Sequence, residues 1–441
     1  MPVFRESTRL GLILRALKYR NYKLFFVGQS ISLIGTWMTQ VATGWLVYRL
    51  TGSALWLGIV GFTGQIATFL LAPLGGLWSD RRDCRRILIT TQIISMVQSL
   101  LLAFLALSGR ITVPQIAALS ILQGLVNAFD VPARQAFVVQ MIDDRKDLGN
   151  AIALNSSMFN GARLIGPAIA GLVIAVGGEG VCFLVDGISY WAVIWTLLAM
   201  RNLGPKASVP KTGLIKGMME GIAYAASFVP IRSVLLLVAF VSLVGLPYAV
   251  LMPMAAREVF HGGPHTLGFL MSASGVGSLA GAVFLASRKN VRGLVRLIAA
   301  ASVLFGAALI GFALSRLLWM ALVALVVAGF AMIVQLAASN TVLQTLVDDD
   351  KRGRVMSLYM MAFMGMMPWG SLLTGFIADH AGFSTALFIA GGGSILGALV
   401  FLRQLPMLRA IIRPIYVRMG IIPEMAAGIE SASSLEVPPE G

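Results

Sequence analysis

Four ionisable residues, Asp130, Arg134, Arg163 and Asp186, stand inside stretches that are otherwise almost wholly apolar. Charge in a membrane-length apolar segment is unfavourable and is kept where it pairs, moves protons or holds a substrate. Asp130 and Arg134 are four apart, with Pro132 between them, so on a helix they share a face and can pair. Either the pair is a gate element near the end of its span, or Asp130 carries protons. Arg163 stands about four helical turns beyond Asn150. Its guanidinium keeps its proton and so needs a carboxylate, backbone carbonyls or an anionic substrate, or else a purely structural partner. Asp186 lies roughly one to two turns inside its apolar run. A carboxyl away from cations can exchange a proton, as a coupling site requires; the alternatives are a helix-end cap and an outer-gate bond.

Uncharged polar residues add to this set. In the first half of the chain, Gln29, Gln40, Gln65, Gln123, Asn127, Asn155, Asn160 and Tyr190 are candidates to line a cavity. The second half has no mid-span acid or base. It offers Gln335, Asn340 and Gln344, then Trp369 beside the run MMAFMGMMPW. Met and aromatic surfaces repack around varied apolar ligands, although packing or lipid contact explains many of them as well. The first half therefore looks suited to protons and the second to apolar binding. No G-x-x-x-x-G-K-[ST] loop, intramembrane histidine or paired carboxylates point to ATP hydrolysis or catalysis. His261, His265 and His380 fall in expected outer loops without metal-ligand spacing, so neither a metal nor another cofactor is expected.

The elements that must position these residues are membrane helices. Hydrophobic residues make up 58% of the 441 and charged ones only 12%, against roughly a quarter charged in soluble domains. Apolar windows long enough to span hydrocarbon recur, and without porin-like alternation they must be helical. They fall near 24–48, 54–79, 87–109, 112–133, 150–176 and 181–200, then 233–255, 265–286, 294–314, 317–346, 355–378 and 383–403. The fold class is thus an all-α polytopic membrane protein of twelve transmembrane helices in two pseudo-symmetric six-helix bundles. Residues 1–23 form a basic lead-in rather than a cleaved signal peptide, 24–200 the first bundle, 201–232 a connector, 233–405 the second bundle and 406–441 a disordered tail. Within the connector, KGMMEGIAYAASF has the pattern of an amphipathic helix on the membrane surface.

The net charge of +15 sits almost entirely in alternate loops, which reads as a positive-inside signal rather than a nucleic-acid surface. Both termini are then cytoplasmic, and the protein is a multi-pass resident of the cell (inner) membrane, expected as a monomer. In this expected topology Cys84 and Cys182 fall on opposite membrane faces, which argues against a disulfide between them.

Between the second and third spans the chain reads GGLWSDRRDCRR. Its Gly76, Asp80, Arg81 and Arg85 fit G-x-x-x-D-R-x-x-x-R, and this loop resembles the signature of the major facilitator superfamily. Asp83 stands where that family usually has Gly, and Cys84 where it usually has Arg. The resemblance implies that the acid caps the amino end of the eleventh span and that the arginines hold the two bundles together on the cytoplasmic side, a gate to which Asp130 and Arg134 would belong. A weaker echo, Arg288 to Gly293, follows the eighth span without a matching acid. Asn155 to Ala175 resembles the fifth-helix motif of the family's antiporters through Gly166, Pro167 and Gly171, with Ala162 and Ala170 replacing two glycines. Generic close packing explains the same small residues. The stretches NYKLFFVGQSISLIGTWM, FDVPARQAF, NAIALNS and VLQTLVDDDKRGRVMSLYMMAF are similar to the exporter branch that includes enterobactin exporters and macrolide-efflux proteins. The likeness spans residues 15 to 405.

The expected function is a secondary transporter that exports an amphipathic small molecule, drug or siderophore-like, by proton antiport and alternating access, and not an enzyme. Protonation of Asp186 or Asp130 would drive the return step. An uptake symporter or lipid flippase on the same fold, and more remotely a non-transporting sensor, remain alternatives.

Overall fold

The computed structural model describes residues 14–201, 214–288, 291–348 and 351–418; the side chains of Asp80, Arg145, residues 214–218 and 418 lie outside it. Every regular element among the described residues is helical. The first six long helices are α1 (Arg20–Thr51), α2 (Ala54–Arg81), α3 (Cys84–Leu107), α4 (Val113–Gln140), α5 (Leu148–Gly177) and α6 (Glu179–Ala199). A connector helix, α7 (Leu214–Ser227), follows. Then come α8 (Val229–Val259), α9 (Pro264–Ala286), α10 (Leu294–Leu314), α11 (Leu318–Leu346), α12 (Arg352–Ala381) and α13 (Phe383–Arg418). Eleven described helices are long and apolar enough to cross a membrane. The remaining long one, α1, has 32 residues and packs against α5 and α6.

Turn chemistry sets the connections. A single residue, Gly178, joins α5 to α6 with φ 78, a left-handed angle that a side chain would resist. Thr112 and Gln115 form a capping box that starts α4. Two long helices are broken by proline, which lacks an N–H and clashes with the carbonyl four residues back. In α8 the backbone passes into a 3₁₀ stretch at Leu246–Leu251 around Pro247 and a π stretch at Ala255–Val259 after Pro253. In α12 the α-helix stops at Met364, four residues before Pro368, and restarts at Met367.

Two expected boundaries move. The first helix starts at Arg20, inside the expected lead-in, behind a 3₁₀ turn at Arg15–Lys18. The last does not stop at 405: it continues to Arg418, because Leu408, Ile412 and Tyr416 recur every four residues and are buried in the core. Helix 11 fills its whole apolar run to Leu346. His265 and His380 lie in the first turn of α9 and the last of α12 rather than in loops. Residues 1–13 of the lead-in, 202–213 of the connector, Lys289 and Asn290 of the basic echo, Asp349 and Asp350, and the expected disordered tail at 419–441 lie outside the described residues.

The packing repeats across the two halves. Helix α2 lies on α4 as α9 lies on α11; α3 lies on α6 as α10 lies on α13; and α5 meets α9 as α12 meets α2. The last two contacts join the halves. We call the side bearing the starts of α1, α3 and α5 the basic face and the other the opposite face. At the basic face, Asp147 before α5 binds Lys18 Nζ at 2.7 Å and accepts the Tyr19 hydroxyl at 2.8 Å, with Arg15 as a further ion-pair partner. The bonded Lys18 ammonium holds the Asp147 carboxyl below the usual carboxylate range. Cys84 and Cys182 are buried and form no disulfide.

Candidate functional site

Each half-to-half seam is tight toward the opposite face and open toward the basic one. Along α2, Gly58 lies so close to α12 that a Cβ would come within 2.6 Å of Ser371 O, and Phe62 meets Trp369 edge to face at 5.2 Å. Phe69 lies against Gly365. Two turns further on the same face, Gly76 has nothing within 4 Å. Along α5, Gly171 lies against Gly268 of α9, a Cβ on Gly268 would come within 2.6 Å of Pro167 O, and Ser272 Oγ donates to Leu164 O at 3.1 Å. Gly161, one turn nearer the basic face, is again in open space. A cleft therefore runs between the halves and opens on the basic face. The three residues of the expected antiporter-like motif divide: Gly166 packs on Trp37 within the first half, while Pro167 and Gly171 make the contact between halves.

At the top of this cleft stands Arg163, midway along α5. No carboxylate among the described residues comes within ion-pair distance of it. Its guanidinium lies over the ring of Trp37, with Cζ 5.8 Å from the centroid, and Phe159 meets the same ring edge-on at 5.7 Å. From the other half, the 3₁₀ break in α8 brings Tyr248 into electrostatic reach of Arg163. The Tyr248 hydroxyl is 2.7 Å from Ser274 Oγ of α9. Broken helices near the middle of a span are a common way to expose polar groups to a ligand.

The acids lie elsewhere, inside the first half. Asp130 is 1% exposed; Thr91 Oγ1 donates to it at 2.7 Å and Gln92 Nε2 at 2.9 Å, and Arg134 pairs with its other oxygen. Asp186 is 2% exposed between α1, α3 and α6. Thr39 and Ser99 hydroxyls donate to its Oδ2 at 2.9 and 3.0 Å, and its buried Oδ1 has no partner. Between the two acids runs a polar stripe on α3, formed by Thr91, Gln92, Ser95, Gln98 and Ser99, all buried and spaced three or four apart around one helix face. Ser95 accepts from Gln123 Nε2 at 3.2 Å, Gln123 also donates to Asn127 at 3.2 Å, and Tyr190 lies beside Ser95 and Thr36 within electrostatic reach of both acids. The buried Oε1 atoms of Gln92 and Gln123 have no partner.

The other expected cavity residues are scattered. Gln40 is exposed on α1 and Asn155 is half-buried on α5, while Asn160 turns back to donate to Ser156 O at 2.9 Å. Gln335 is 1% exposed with neither amide atom bonded, and Asn340 accepts from Gln344 at 2.5 Å. Trp369 stands on the seam with Phe62 rather than at Arg163.

The loop motif departs from what its resemblance implies. Arg85 does not bridge the halves: its Nε and Nη2 donate to Leu197 O and Leu198 O at 2.8 and 2.9 Å, capping the carboxyl end of α6 in its own half. Arg81 is exposed and has no partner among the described residues. The side chain of Asp80 lies outside the described residues. At the amino end of α12, Arg354 pairs with Glu220 of the connector helix at 2.8 Å instead. The open cleft explains the difference, since it separates this loop from the second half. The close-packed glycine is Gly75, where a Cβ would overlap the Ala128 carbonyl, and not Gly76.

Closure of the opposite face uses residues that the sequence does not single out. The Tyr48 hydroxyl donates to Glu258, and Ser53 Oγ donates to Asp379 Oδ1 at 2.8 Å, each bond crossing between halves. All four lie at span ends, where polar residues are commonplace. Trp37 and Tyr248 also escape a reading that seeks polar groups in apolar runs. The signal available for Tyr248 is the pair Pro247 and Pro253, which marks a broken span.

Two repeated halves joined across a cleft that opens on one face define a polytopic membrane transporter. Residues 14–413 match the family described as transmembrane secretion effector, and the chain belongs to this family of the major facilitator superfamily. It is 27% identical over 380 residues to the staphyloferrin A transporter of Staphylococcus aureus, covering 86% of this chain and 95% of that one. To the multidrug efflux pump Tap of Mycolicibacterium fortuitum it is 28% identical over 369 residues, covering 81% and 88%. To macrolide efflux protein A of Streptococcus pyogenes it is 23% identical over 385 residues, covering 85% and 94%. In fold it is similar to a bacterial homologue of the iron transporter ferroportin in an inward-facing state, with TM-score 0.67 at 14% identity over 87% of this chain and 98% of that one. A POT family transporter in complex with 5-aminolevulinic acid gives TM-score 0.69 at 12% identity over 88% and 96%.

Proposed function

We propose that this protein is a secondary active exporter that expels amphipathic small molecules by proton antiport and alternating access. The observation that carries the reading is the one-sided seam: the halves meet from Gly58 to Phe69 and from Leu164 to Gly171, then part so that Gly76 and Gly161 face open space. With the basic face cytoplasmic, as its charge favours, both termini are cytoplasmic and the cleft is inward-open. Substrate enters it from the cytoplasm or the inner leaflet, and rocking of the halves about the seam carries it outward. The names of the efflux relatives support this direction.

Proton coupling falls to the first half. Asp130 is tied to a guanidinium and two further donors. Asp186 has only hydroxyl donors and one unpartnered oxygen, which suits it to gain and lose a proton. The stripe through Ser95 and Tyr190 links the two acids, and protonation of Asp186 biases the return from outward to inward. The working unit is a monomer in the bilayer, with protons and substrate as its partners and no cofactor. Everted vesicles containing the protein should accumulate a fluorescent efflux substrate under an imposed proton gradient and release it when a protonophore is added. Accumulation that survives collapse of the gradient would sink the antiport reading.

A further inference from the structure

The exporter reading leaves open what chemistry the cleft accepts, and Arg163 answers it. A guanidinium stays charged at any relevant pH, and a charge held mid-membrane needs a counter-charge. Among the described residues, the acids buried in the first-half spans or bonded across the seam have partners other than Arg163: Asp130 has Arg134, Thr91 and Gln92; Asp186 has Thr39 and Ser99; Glu258 has Tyr48; and Asp379 has Ser53. None of them reaches Arg163. What Arg163 does have is the Trp37 face at 5.8 Å, a contact that orients the guanidinium without neutralising it. Beside it, Phe159 is 48% exposed and offers apolar surface, while Tyr248, buried in the other half with its hydroxyl bonded to Ser274, is within electrostatic reach.

We infer that the cleft takes amphipathic anions: a carboxylate or comparable anionic group binds the fork of Arg163 while an apolar or aromatic body lies against Phe159. The inference rests on the exporter reading of the same cleft. A planar fork matched to two anionic oxygens makes Arg163 the residue that selects charge sign. A cationic ligand would instead meet an uncompensated positive charge. Because Tyr248 belongs to the second half, a bound anion would also lie within electrostatic reach of both halves at the seam where they rock.

The test uses the full-length protein in phosphatidylcholine nanodiscs and three probes of one shape: p-octylbenzoate, its methyl ester and p-octylbenzylamine. Equilibrium binding should favour the carboxylate on the wild type, weaken at least about tenfold in Arg163→Gln, and fall between the two in Arg163→Lys. The ester should be indifferent to both substitutions, and the amine should bind more tightly to Arg163→Gln than to the wild type. Gel filtration reports folding; should Arg163→Gln fail to fold, the wild-type preference between carboxylate and amine decides. Equal carboxylate binding by wild type and Arg163→Gln, or tighter binding of the amine by the wild type, would overturn the inference. Adding phosphatidylglycerol to the discs separates two sources of the same anion: displacement of the probe assigns the site to a lipid headgroup, and undiminished binding assigns it to a free solute. Binding needs no gradient, so an Arg163-dependent carboxylate site in a protein that exports nothing would leave this inference standing and sink the exporter reading. Gradient-driven export of a cation, unaffected by Arg163→Gln, would do the reverse.

Discussion

Ser53, at the amino cap of α2, donates its hydroxyl to Asp379 Oδ1 of α12 at 2.8 Å, and the same oxygen accepts the Leu55 N–H at 3.3 Å. A carboxylate from one half thus sits at the helix amino terminus of the other, where unsatisfied N–H groups and the helix dipole favour it. The family resemblance assigns such an acid to the basic face. Here the described arrangement is on the opposite face, where the halves are closed.

Asp379→Asn should loosen this closure, and Glu258→Gln should add to it by turning the charged acceptor of Tyr48 into a neutral amide oxygen. Each change should shift the equilibrium toward an outward-open form by about 1–2 kcal/mol, since a neutral amide keeps a weaker bond where the carboxylate made a charge-assisted one. Spin labels placed across the opposite face would report a growing long-distance population. An unchanged distance distribution in the double variant would show that the two bonds do not hold the face shut.

Asp186→Asn should abolish gradient-driven accumulation while leaving substrate exchange between equal pools, because only proton exchange is lost. Asp130→Asn should mainly lower stability, by about 1–3 kcal/mol, since it leaves the half-buried Arg134 beside a neutral amide. If Asp186→Asn transports under a gradient as the wild type does, the coupling site moves to Asp130.

The adjacent glycines of the loop motif should behave oppositely. Gly75→Ala drives a methyl into the Ala128 carbonyl and should destabilise the protein by about 1–3 kcal/mol in a thermal-unfolding assay in detergent. Gly76→Ala meets nothing within 4 Å and should stay within about 0.5 kcal/mol of the wild type. Equal losses at both positions would mean that α2 does not pack on α4 as described.

Asp147 sets a pH dependence. Its carboxyl is held low in the fold by Lys18, so its contribution is present above the unfolded carboxylate value, about pH 4, and is lost as pH falls through the lower folded value. Lys18, raised by the same bond, contributes below its own unfolded value and loses that contribution only in strong alkali. The melting-temperature gap between wild type and Asp147→Asn should therefore be constant from pH 6 to 8 and close on acidification. A gap that persisted at the acid limit would contradict the ion pair.

The local patterns were readable because they depend on near neighbours in the chain. Apolar run length dictates where helices such as α10 and α11 lie, and a four-residue spacing dictates that Asp130 can meet Arg134. The superfamily likewise follows from the loop and fifth-helix motifs. What went astray did so for a local reason too: the boundary at 405 ignores that Leu408, Ile412 and Tyr416 continue one buried face past two prolines.

Tertiary structure decided which residues cooperate. Only folding places the α3 stripe between Asp130 and Asp186, sets Trp37 and Tyr248 around Arg163, and joins Ser53 to Asp379 across 326 residues of chain. Packing within the first half lets Arg85 cap α6, and the relative placement of the halves leaves Gly76 facing an open cleft. Helix formation follows from length and polarity along the chain. A site between two halves follows from which helix faces are left to meet once each half has packed, and that choice is made by close contacts such as Gly171 on Gly268, whose partners no spacing in the sequence reveals.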